Sequence, residues 1–259
     1  MFSEHNKQKL SLLTQLFIIV QHDITMPSPD YSQQAERYAL RELNNTDYLA
    51  FRTVAEHRLL RDSFVLDLGC GSGRSSRFLK ALGNHVVGAD ISPEMIAQAR
   101  KADPKGDYHL LKPSQPLPFV DGHFQAFFSS WMLLEIGNRS DLDLIVREMA
   151  RIICPSGFGI VVTNTKEFYE GNWLSCLVDF PENEPPLHSG QQVKARLLPE
   201  NIDVTDYFWS DKDYKMVFIQ AGLTVKQEFR PLGNSSDQLH WKDEIRIAPY
   251  VIYQLEKSL

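Results

Sequence analysis

A glycine-rich turn between two apolar segments constrains the fold more than any other feature of this chain. The short apolar run Phe64–Leu68 stops at Gly69-Cys-Gly-Ser-Gly73, and apolar residues then recur at helical spacing over residues 74–82. This order predicts a buried strand, a tight turn and a helix. Gly83 suits the left-handed residue that closes a helix, and His85–Asp90 predicts a second buried strand that ends in a carboxylate.

The alternation of strand and helix continues to residue 163. Further strands are predicted over residues 108–111, 124–129 and 159–163. Ser92 suits an N-cap with Pro93 in the first helical position, and Ser140 with Asp143 forms a capping box at the start of a later helix. Five strands that alternate with helices predict an α/β fold, in which a mainly parallel sheet lies between two helical layers.

The segments on either side of this alternation have a different pattern. Residues 31–61 are polar with scattered apolar positions, which predicts one or two surface helices, broken near Asn44, that cover the domain. Prolines among aromatic residues interrupt residues 165–209, which predicts an insertion over the sheet edge. A helix over residues 211–220 and strands over 223–229 and 245–255 are predicted to follow. One domain is therefore expected over residues 31–259.

Residues 1–30 are predicted to be an extension of this domain, either a docking helix or a loose segment. Their apolar run is interrupted by Ser11, Thr14 and Gln15 and is shorter than the roughly 20 apolar residues that span a bilayer. No secretory signal or membrane partner is expected. The three cysteines lie far apart without a Cys-x-x-Cys pair, which favours a reducing, cytoplasmic location.

The charge balance bears on the class of partner. The chain has 27 Lys and Arg against 33 Asp and Glu, a formal net charge of -6. This sign disfavours a broad grip on phosphate backbones, so a small molecule is expected as partner rather than a nucleic acid. The cysteines and histidines lack the spacing of a zinc site, and no metal is expected.

The glycine turn and two aspartates indicate the class of ligand. Backbone N–H groups at such a turn approach an anionic group closely, and Asp90 follows Gly69 by 21 residues (90 − 69), where a carboxylate binds ribose hydroxyls. An adenosine-type ligand is therefore favoured. The dinucleotide fingerprint is incomplete because Arg74 occupies its sixth position, and Asp67 would repel a diphosphate but attract an ammonium group. Arg74 and Arg77 are interpreted as a solvated helix face.

Four sequence blocks in this order resemble the class I S-adenosylmethionine-dependent methyltransferases, in particular their type 11 group, which acts mostly on small molecules. The blocks are Val65-Leu-Asp-Leu-Gly-Cys-Gly-Ser-Gly73, Val86-Val-Gly-Ala-Asp-Ile-Ser92, Leu117-Pro-Phe-Val-Asp-Gly-His-Phe124, and Glu148-Met-Ala-Arg151 through Pro155-Ser-Gly157. The resemblance spans roughly residues 31–163. It implies a Rossmann-like three-layer αβα sandwich with a seven-stranded sheet whose last strand is antiparallel, and S-adenosylmethionine as cofactor over the carboxyl ends of the first four strands.

The resemblance also implies which residues contact the cofactor. In chain order they are Tyr31, Tyr38, Asp67, Gly69, Cys70, Gly71, Gly73, Asp90, Ile91, Met95, Pro113, Ser114 and Ser129. The glycine turn would admit the methionine part beside Asp67, and Asp90 would hold the ribose. Pro113 stands where the family often has an acidic residue that accepts a proton from adenine, so backbone atoms or Ser114 are expected to replace that contact. Ser129 would offer its carbonyl to the cofactor's ammonium group.

The remaining implied contacts come from side chains around the cofactor. Ile91 and Met95 would pack on the adenine, and Tyr31 or Tyr38 would close over the cofactor from the amino-terminal cover. Trp131 and Glu135, after the fourth strand, are the candidates for contacts with the methyl acceptor.

Methyl transfer from a sulfonium requires alignment of the nucleophile and exclusion of water rather than a metal. A general base is required only where the acceptor must lose a proton, and none stands out. The catalytic residues are therefore left open, with His188, Tyr207 and His240 interpreted as structural or exposed. Two alternatives remain: a nicotinamide-dependent oxidoreductase, which would share Asp90, and an S-adenosylmethionine-binding protein that has lost catalysis.

Overall fold

A seven-stranded sheet forms the centre of the computed structural model, which describes residues 34–113 and 115–258. Its strands are β1 (Phe64–Leu68), β2 (His85–Asp90), β3 (Asp107–Leu110), β4 (Phe124–Ser130), β5 (Ile153–Asn164), β9 (Leu223–Phe229) and β10 (Tyr250–Lys257). They lie in the order β3-β2-β1-β4-β5-β10-β9, and β10 pairs antiparallel with both of its neighbours while β1 to β5 are parallel. The predicted α/β fold with an antiparallel last strand is confirmed.

Alternating apolar side chains give the sheet a buried core on each face. On β4, Phe128 belongs to one core and Phe127 to the other, and both are almost fully buried. The helices are α1 (Ala35–Ala39), α2 (Tyr48–Glu56), α3 (Arg74–Ala81), α4 (Pro93–Ala102), α5 (Arg139–Ile152) and α6 (Asp211–Gln220). The first core includes residues of α2 and α3, and the second includes residues of α5 and α6.

Three local predictions differ from the structure. The helix that was assigned a capping box at Ser140 and Asp143 begins two residues earlier, because the Asn138 side chain accepts the N–H of Asp141 and acts as the N-cap. α2 is not a surface helix, since Leu49, Ala50, Phe51 and Val54 are buried in the core. Finally, two strands differ in extent. β5, predicted over residues 159–163, begins at Ile153 directly after α5. The last strand, predicted over residues 245–255, is β10 at Tyr250–Lys257, because its pairing with β5 starts at Tyr250.

The segment predicted as an insertion, residues 165–209, contains a second, antiparallel sheet of three strands. These are β6 (Cys176–Leu177), β7 (Gln191–Leu197) and β8 (Ile202–Phe208). Its buried face joins the first core through Val193, Ala195, Ile202 and Val204. The small sheet therefore packs against the central sheet by an apolar face.

Candidate active site

A cavity of about 1210 Å³, open solvent at its mouth included, lies at the carboxyl ends of the parallel strands. Leu68, Asp90, Ser130 and Asn164 are the last residues of β1, β2, β4 and β5, and each lines it. The small sheet and the segment around α1 supply the remaining walls. Ligands of open α/β sheets bind at this edge, because the strand order reverses there and leaves a crevice.

Of the three glycines in the turn, only Gly71 leaves space for a ligand in the cavity. Gly69, Gly71 and Gly73 all have positive φ angles, a backbone conformation that favours glycine. A Cβ on Gly69 would lie 2.5 Å from Met132, and a Cβ on Gly73 would lie 2.8 Å from the Tyr108 hydroxyl. On Gly71 it would meet Tyr38 only at 3.8 Å. Packing within the protein explains the first and third glycines, and Gly71 is the one whose missing side chain keeps the cavity open.

The Asp90 carboxylate accepts hydrogen bonds from the segments that follow β1 and β2. Its Oδ2 accepts the Gly71 N–H at 2.8 Å and its Oδ1 accepts the Ser92 N–H at 2.9 Å, which fixes the carboxylate at the cavity wall. Burial raises the pKa of Asp90, while these backbone hydrogen bonds lower it. Each carboxylate oxygen has two acceptor positions, so the side chain retains capacity for a pair of hydroxyl groups.

Asp67 lies beneath the turn and is fully buried. Its Oδ2 accepts hydrogen bonds from the hydroxyls of Ser75 at 2.7 Å and Ser76 at 2.6 Å, both at the start of α3. Its Oδ1 is buried and has no partner within the described residues. Burial raises the pKa of Asp67 to about 6, against the effect of the two serine hydroxyls. The carboxylate therefore retains one free buried acceptor.

Apolar side chains form the wall on the other side of Asp90. Ile91, Met95, Leu111, Ile136 and Ile145 all line the cavity. A flat aromatic ring fits such a wall better than a charged group does.

The amino-terminal segment closes over the cavity and is held by a buried group of charges. Asp47 accepts hydrogen bonds from Arg41 at 3.0 Å, Arg74 at 2.9 Å and the Tyr250 hydroxyl at 3.0 Å. Burial alone would raise the pKa of Asp47, but Arg41 and Arg74 outweigh it and hold the pKa well below its usual range. Arg41 also pairs with Glu200 at 2.8 Å. The prediction that Arg74 faces solvent is wrong, because it joins α3 to this group.

Two residues after β4, Trp131 and Glu135, line the cavity. Trp131 has a positive φ of 55°, which few non-glycine residues adopt, and its N–H donates to the Val162 carbonyl at 2.9 Å. Its indole packs edge-on against Tyr250, with 5.0 Å between ring centroids. The indole N–H is buried and has no partner in the part of the chain that the structure describes. Glu135 lines the cavity on the short 3-10 turn Leu133–Glu135.

The opposite wall of the cavity carries polar groups that none of the sequence motifs indicates. Asn164 and Asp206 both line the cavity, and Asp206 lies on the inner face of β8. Asp206 is 5% exposed, and burial raises its pKa to about 7. The signal that could have revealed it is the alternation of β8, in which a carboxylate occupies a position that otherwise holds apolar residues.

Comparisons with known proteins agree with this geometry. A family model described as "Methyltransferase domain" matches residues 65–157. The demethylmenaquinone methyltransferase of Thermus thermophilus is 31% identical over 177 residues, which cover 65% of this chain and 78% of that protein. The chain belongs to the class I S-adenosylmethionine-dependent methyltransferase family. The predicted family, and with it S-adenosylmethionine as cofactor, is thereby confirmed.

Other relatives of this chain are named for different kinds of acceptor. The malonyl-[acyl-carrier protein] O-methyltransferase of Erwinia billingiae is 30% identical over 148 residues, 54% of this chain and 57% of that protein. The 18S rRNA (guanine-N(7))-methyltransferase of Mus musculus is 34% identical over 108 residues, 40% of this chain and 38% of that protein. The chain thus matches about half of the first relative's length and less of the second's. The first name gives a malonyl group on an acyl-carrier protein as the acceptor, and the second gives an RNA.

A solved structure supports the fold of this methyltransferase. A methyltransferase from Methanosarcina mazei superposes with a TM-score of 0.59 at 18% identity, covering 79% of this chain and 97% of that protein. The Rossmann-like three-layer arrangement implied by the sequence resemblance is therefore confirmed.

The residues of the site fit S-adenosylmethionine. Gly71 and the fixed carboxylate of Asp90 line the cavity, the free buried acceptor of Asp67 lies behind the glycine turn, and apolar side chains line the cavity beyond Asp90. A zwitterionic head, a ribose and an adenine require groups of these kinds. Tyr38, Gly69, Ile91 and Met95 also line this cavity. Cys70 lines a small adjoining cavity beside Arg74.

Some predicted site residues of the methyltransferase do not line this cavity. Asp67 and Gly73 lie behind the turn, and Pro113 is exposed. Ser130 lines the cavity where Ser129 was predicted, because Ser129 is buried within β4 and its hydroxyl has no partner among the described side chains. Tyr31, Ser114 and the predicted extension over residues 1–30 lie outside the described residues.

The described residues contain neither a metal site nor a membrane-spanning helix. No group of three or more His, Cys, Asp or Glu side chains there is arranged to hold a metal ion. None of the helices in the described segments is both long and apolar enough to cross a bilayer.

Proposed function

We propose that this chain transfers the methyl group of S-adenosylmethionine to a small-molecule acceptor bound in the same cavity. The observation that carries the proposal is the continuity of the cavity from the glycine turn and Asp90 to the small sheet. When bound, S-adenosylmethionine supplies a methyl group on a sulfonium that is already activated for displacement. The protein then has to align an acceptor and exclude water.

The residues around the turn are assigned roles by their chemistry. Gly71 gives the methionine part room, and Asp67 provides a buried negative acceptor for its ammonium group, directly or through a water. Asp90 accepts the ribose hydroxyls, since both of its oxygens are already oriented by backbone N–H groups. Ile91 and Met95 pack against the adenine. The assignment needs no acidic residue at Pro113, because the adenine wall is apolar.

The shape of the site favours a small acceptor. The amino-terminal segment and the small sheet cover the cavity, and Tyr38 and Arg41 of the cover are among its walls. An extended nucleic acid would need an open surface of positive charge, whereas the chain has a net charge of -6 and Arg41 and Arg74 are both paired with Asp47. Trp131 and Glu135 are the proposed acceptor contacts near the cofactor.

Two further features belong to this proposal. Residues 31–259 form the methyltransferase domain with the insertion at 165–209, and residues 1–30 extend it. The thiols of Cys70, Cys154 and Cys176 are free, as is usual in proteins of reducing compartments, which supports a cytoplasmic location.

Calorimetric titration with S-adenosylmethionine tests the cofactor assignment. The wild type should bind, and Asp90→Ala should weaken binding at least tenfold because the ribose loses its acceptor. Asp203→Asn, an exposed carboxylate far from the turn in sequence, is the matched control and should bind like the wild type. Binding of a nicotinamide dinucleotide in place of S-adenosylmethionine would support the oxidoreductase alternative.

Turnover requires a second assay. S-adenosylhomocysteine release should be detected with at least one member of a metabolite panel and not with an RNA oligonucleotide. Cofactor binding without turnover on any acceptor would favour the catalytically inactive alternative, and turnover on RNA alone would contradict the proposed acceptor class.

A further inference from the structure

One strand of the small sheet carries a buried carboxylate among apolar side chains. Along β8, Ile202, Val204, Asp206 and Phe208 are buried, while the residues between them are partly or fully exposed. A valine opposite, Val193 on β7, is the register partner of Asp206 and is fully buried. Asp206 therefore occupies a position at which packing alone would select an apolar residue.

No group in the described part of the chain compensates this carboxylate. Within the described residues, no hydrogen bond or ion pair reaches the Asp206 side chain, and burial is the only influence on its pKa, which it raises to about 7. The side chain is 5% exposed and lines the cavity. A buried charge without a partner is costly, so such a group indicates a ligand that supplies the partner.

The surroundings of Asp206 offer no positive charge. The titratable groups that interact with it are the hydroxyls of Tyr169, on the 3-10 turn Lys166–Glu170, and Tyr214, on α6. Burial raises the pKa of both, so both are neutral. Tyr169 accepts a hydrogen bond from the Asn164 amide at 3.2 Å, and Tyr214 is bonded to Thr163 at 3.1 Å. Neither hydroxyl forms a hydrogen bond with Asp206 in the described structure, and neither brings a positive charge.

The cavity as a whole is negative. Among the described residues, one positively charged residue, Arg41, lines it. Four acidic residues also line it: Asp47, Asp90, Glu135 and Asp206. Arg41 is already paired with Asp47 and Glu200. The carboxamide oxygen of Asn164 is a further buried acceptor without a partner in the described chain. A cationic group that donates hydrogen bonds would compensate these acceptors, and an anionic one would be repelled.

We propose that Asp206 binds the amino group of the methyl acceptor, which is therefore an amine with an apolar body. This inference rests on the proposed function and assigns its acceptor class. The ammonium group pairs with Asp206 and donates to Asn164, while the apolar body lies against Val204, Leu197 and Phe168, which line the same cavity. Discrimination against an alcohol of the same shape arises because the alcohol leaves the carboxylate without a counter-charge.

The test uses matched pairs of compounds on the full chain saturated with S-adenosylhomocysteine. The probes are 2-phenylethylamine against 2-phenylethanol, and hexylamine against hexan-1-ol, titrated calorimetrically at pH 8, where amine and carboxylate are both ionised. The wild type should bind each amine at least tenfold more tightly than its alcohol. Asp206→Asn should reduce amine affinity at least tenfold and bring the ratio close to one.

A control on the same strand separates this effect from a general change of charge. Asp203→Asn removes a carboxylate from the exposed face of β8 and should leave the amine preference intact. A wild type without amine preference, or an Asp206→Asn variant that retains it, would overturn the inference.

The two proposals fail in different ways. A wild type that binds S-adenosylmethionine but shows no preference for the amines refutes the acceptor class alone, and Asp206→Asn should bind S-adenosylmethionine like the wild type. If the wild type binds no S-adenosylmethionine, the proposed function and the inference that rests on it are both refuted.

Discussion

At the scale of single residues, Asp206 should oppose folding. Its pKa is raised from 3.8 to about 7 in the folded protein, so the folded state binds more protons than the unfolded state between these pH values. Stability attributable to this side chain therefore falls as pH rises through that window, by up to about 4 kcal/mol above pH 7. A group that binds a ligand often carries such a cost.

The first prediction follows from this loss of stability with rising pH. Asp206→Asn should raise the melting temperature by several degrees at pH 8, and the gain should shrink as the pH falls and vanish near pH 4. Thermal unfolding across this pH range, monitored by circular dichroism, measures it. Asp203→Asn, whose exposed carboxylate pairs with Arg196 at the surface, should show no such gain. A melting temperature of Asp206→Asn equal to or below that of the wild type at pH 8 would contradict the assignment of an unpaired buried charge.

The second prediction distinguishes the role of Gly71 in cofactor binding from the role of Gly69 in packing. Gly71→Ala places a methyl group at 3.8 Å from Tyr38 and 4.0 Å from Met95, so it costs mainly the strain of a positive φ, about 1–2 kcal/mol. It should nevertheless weaken S-adenosylmethionine binding at least tenfold, because the methyl group occupies ligand space. Gly69→Ala brings its Cβ within 2.5 Å of Met132 and should destabilise the protein more.

Denaturant unfolding and calorimetry on the two variants measure this difference. Unchanged cofactor affinity in Gly71→Ala would show that the ligand does not approach the turn at this residue.

The sequence identifies these two residues to different degrees. Gly71 is part of a motif whose local spacing requires a strand, a turn and a helix, so its place could be predicted from neighbouring residues alone. Asp206 reaches the cavity only because β8 pairs with β7 and the small sheet packs over β5, contacts between residues distant in sequence. A break in an alternating pattern signals such a residue but does not indicate which cavity it lines.

At the scale of elements, the cover is joined to the cofactor turn by Asp47. This carboxylate, just before α2, pairs with Arg41 on the segment after α1 and with Arg74 at the first position of α3. Removing one partner of a buried ion pair leaves an uncompensated charge and costs about 3–5 kcal/mol. Asp47→Asn removes the carboxylate that pairs with Arg74 and leaves Arg41 with Glu200 alone.

The third prediction is that Asp47→Asn lowers both stability and cofactor affinity. The melting temperature should fall by several degrees, and the dissociation constant for S-adenosylmethionine should rise several-fold, because Arg74 anchors the helix that follows the glycine turn. Differential scanning calorimetry and titration calorimetry give the two values. Asp203→Asn makes the same change of charge in an exposed pair and should alter neither. A stable Asp47→Asn variant with unaltered affinity would show that the cover and the turn are independent.

The ends of the helices and strands could be predicted from neighbouring residues in some places and not in others. α6 and β9 begin and end where their periodicity predicts, because Ser210 caps α6 and Gly222 separates the two elements. The sequence predicts Ser140 as the N-cap of α5, whereas the structure has Asn138. Both residues are good N-caps, and the choice between them depends on packing. α2 resembles a surface helix in composition, yet Phe51 packs on Phe78 and Phe128. Tertiary contacts decided both cases.

At the scale of the whole molecule, the cavity is bounded by three parts of the chain: the central sheet, the amino-terminal cover and the small sheet. Tyr38 and Arg41 belong to the cover, Ala195 and Val204 to the small sheet, and a ligand between them contacts all three parts. Bound cofactor should therefore hold the cover in place. Ligand that binds only the folded state raises stability by about 2.7 kcal/mol at one hundred times its dissociation constant.

The fourth prediction concerns this coupling. At that concentration S-adenosylmethionine should raise the melting temperature by about 5–10 °C. Amide hydrogen exchange should slow in residues 34–60, including backbone positions that touch no ligand, because opening of the cover then requires loss of the cofactor. In Asp47→Asn the slowing in residues 34–60 should be smaller than in the wild type even when the cofactor is saturating. Protection confined to the glycine turn, with unchanged exchange in the cover, would mean that the cofactor enters by another route and that the cover is a fixed wall.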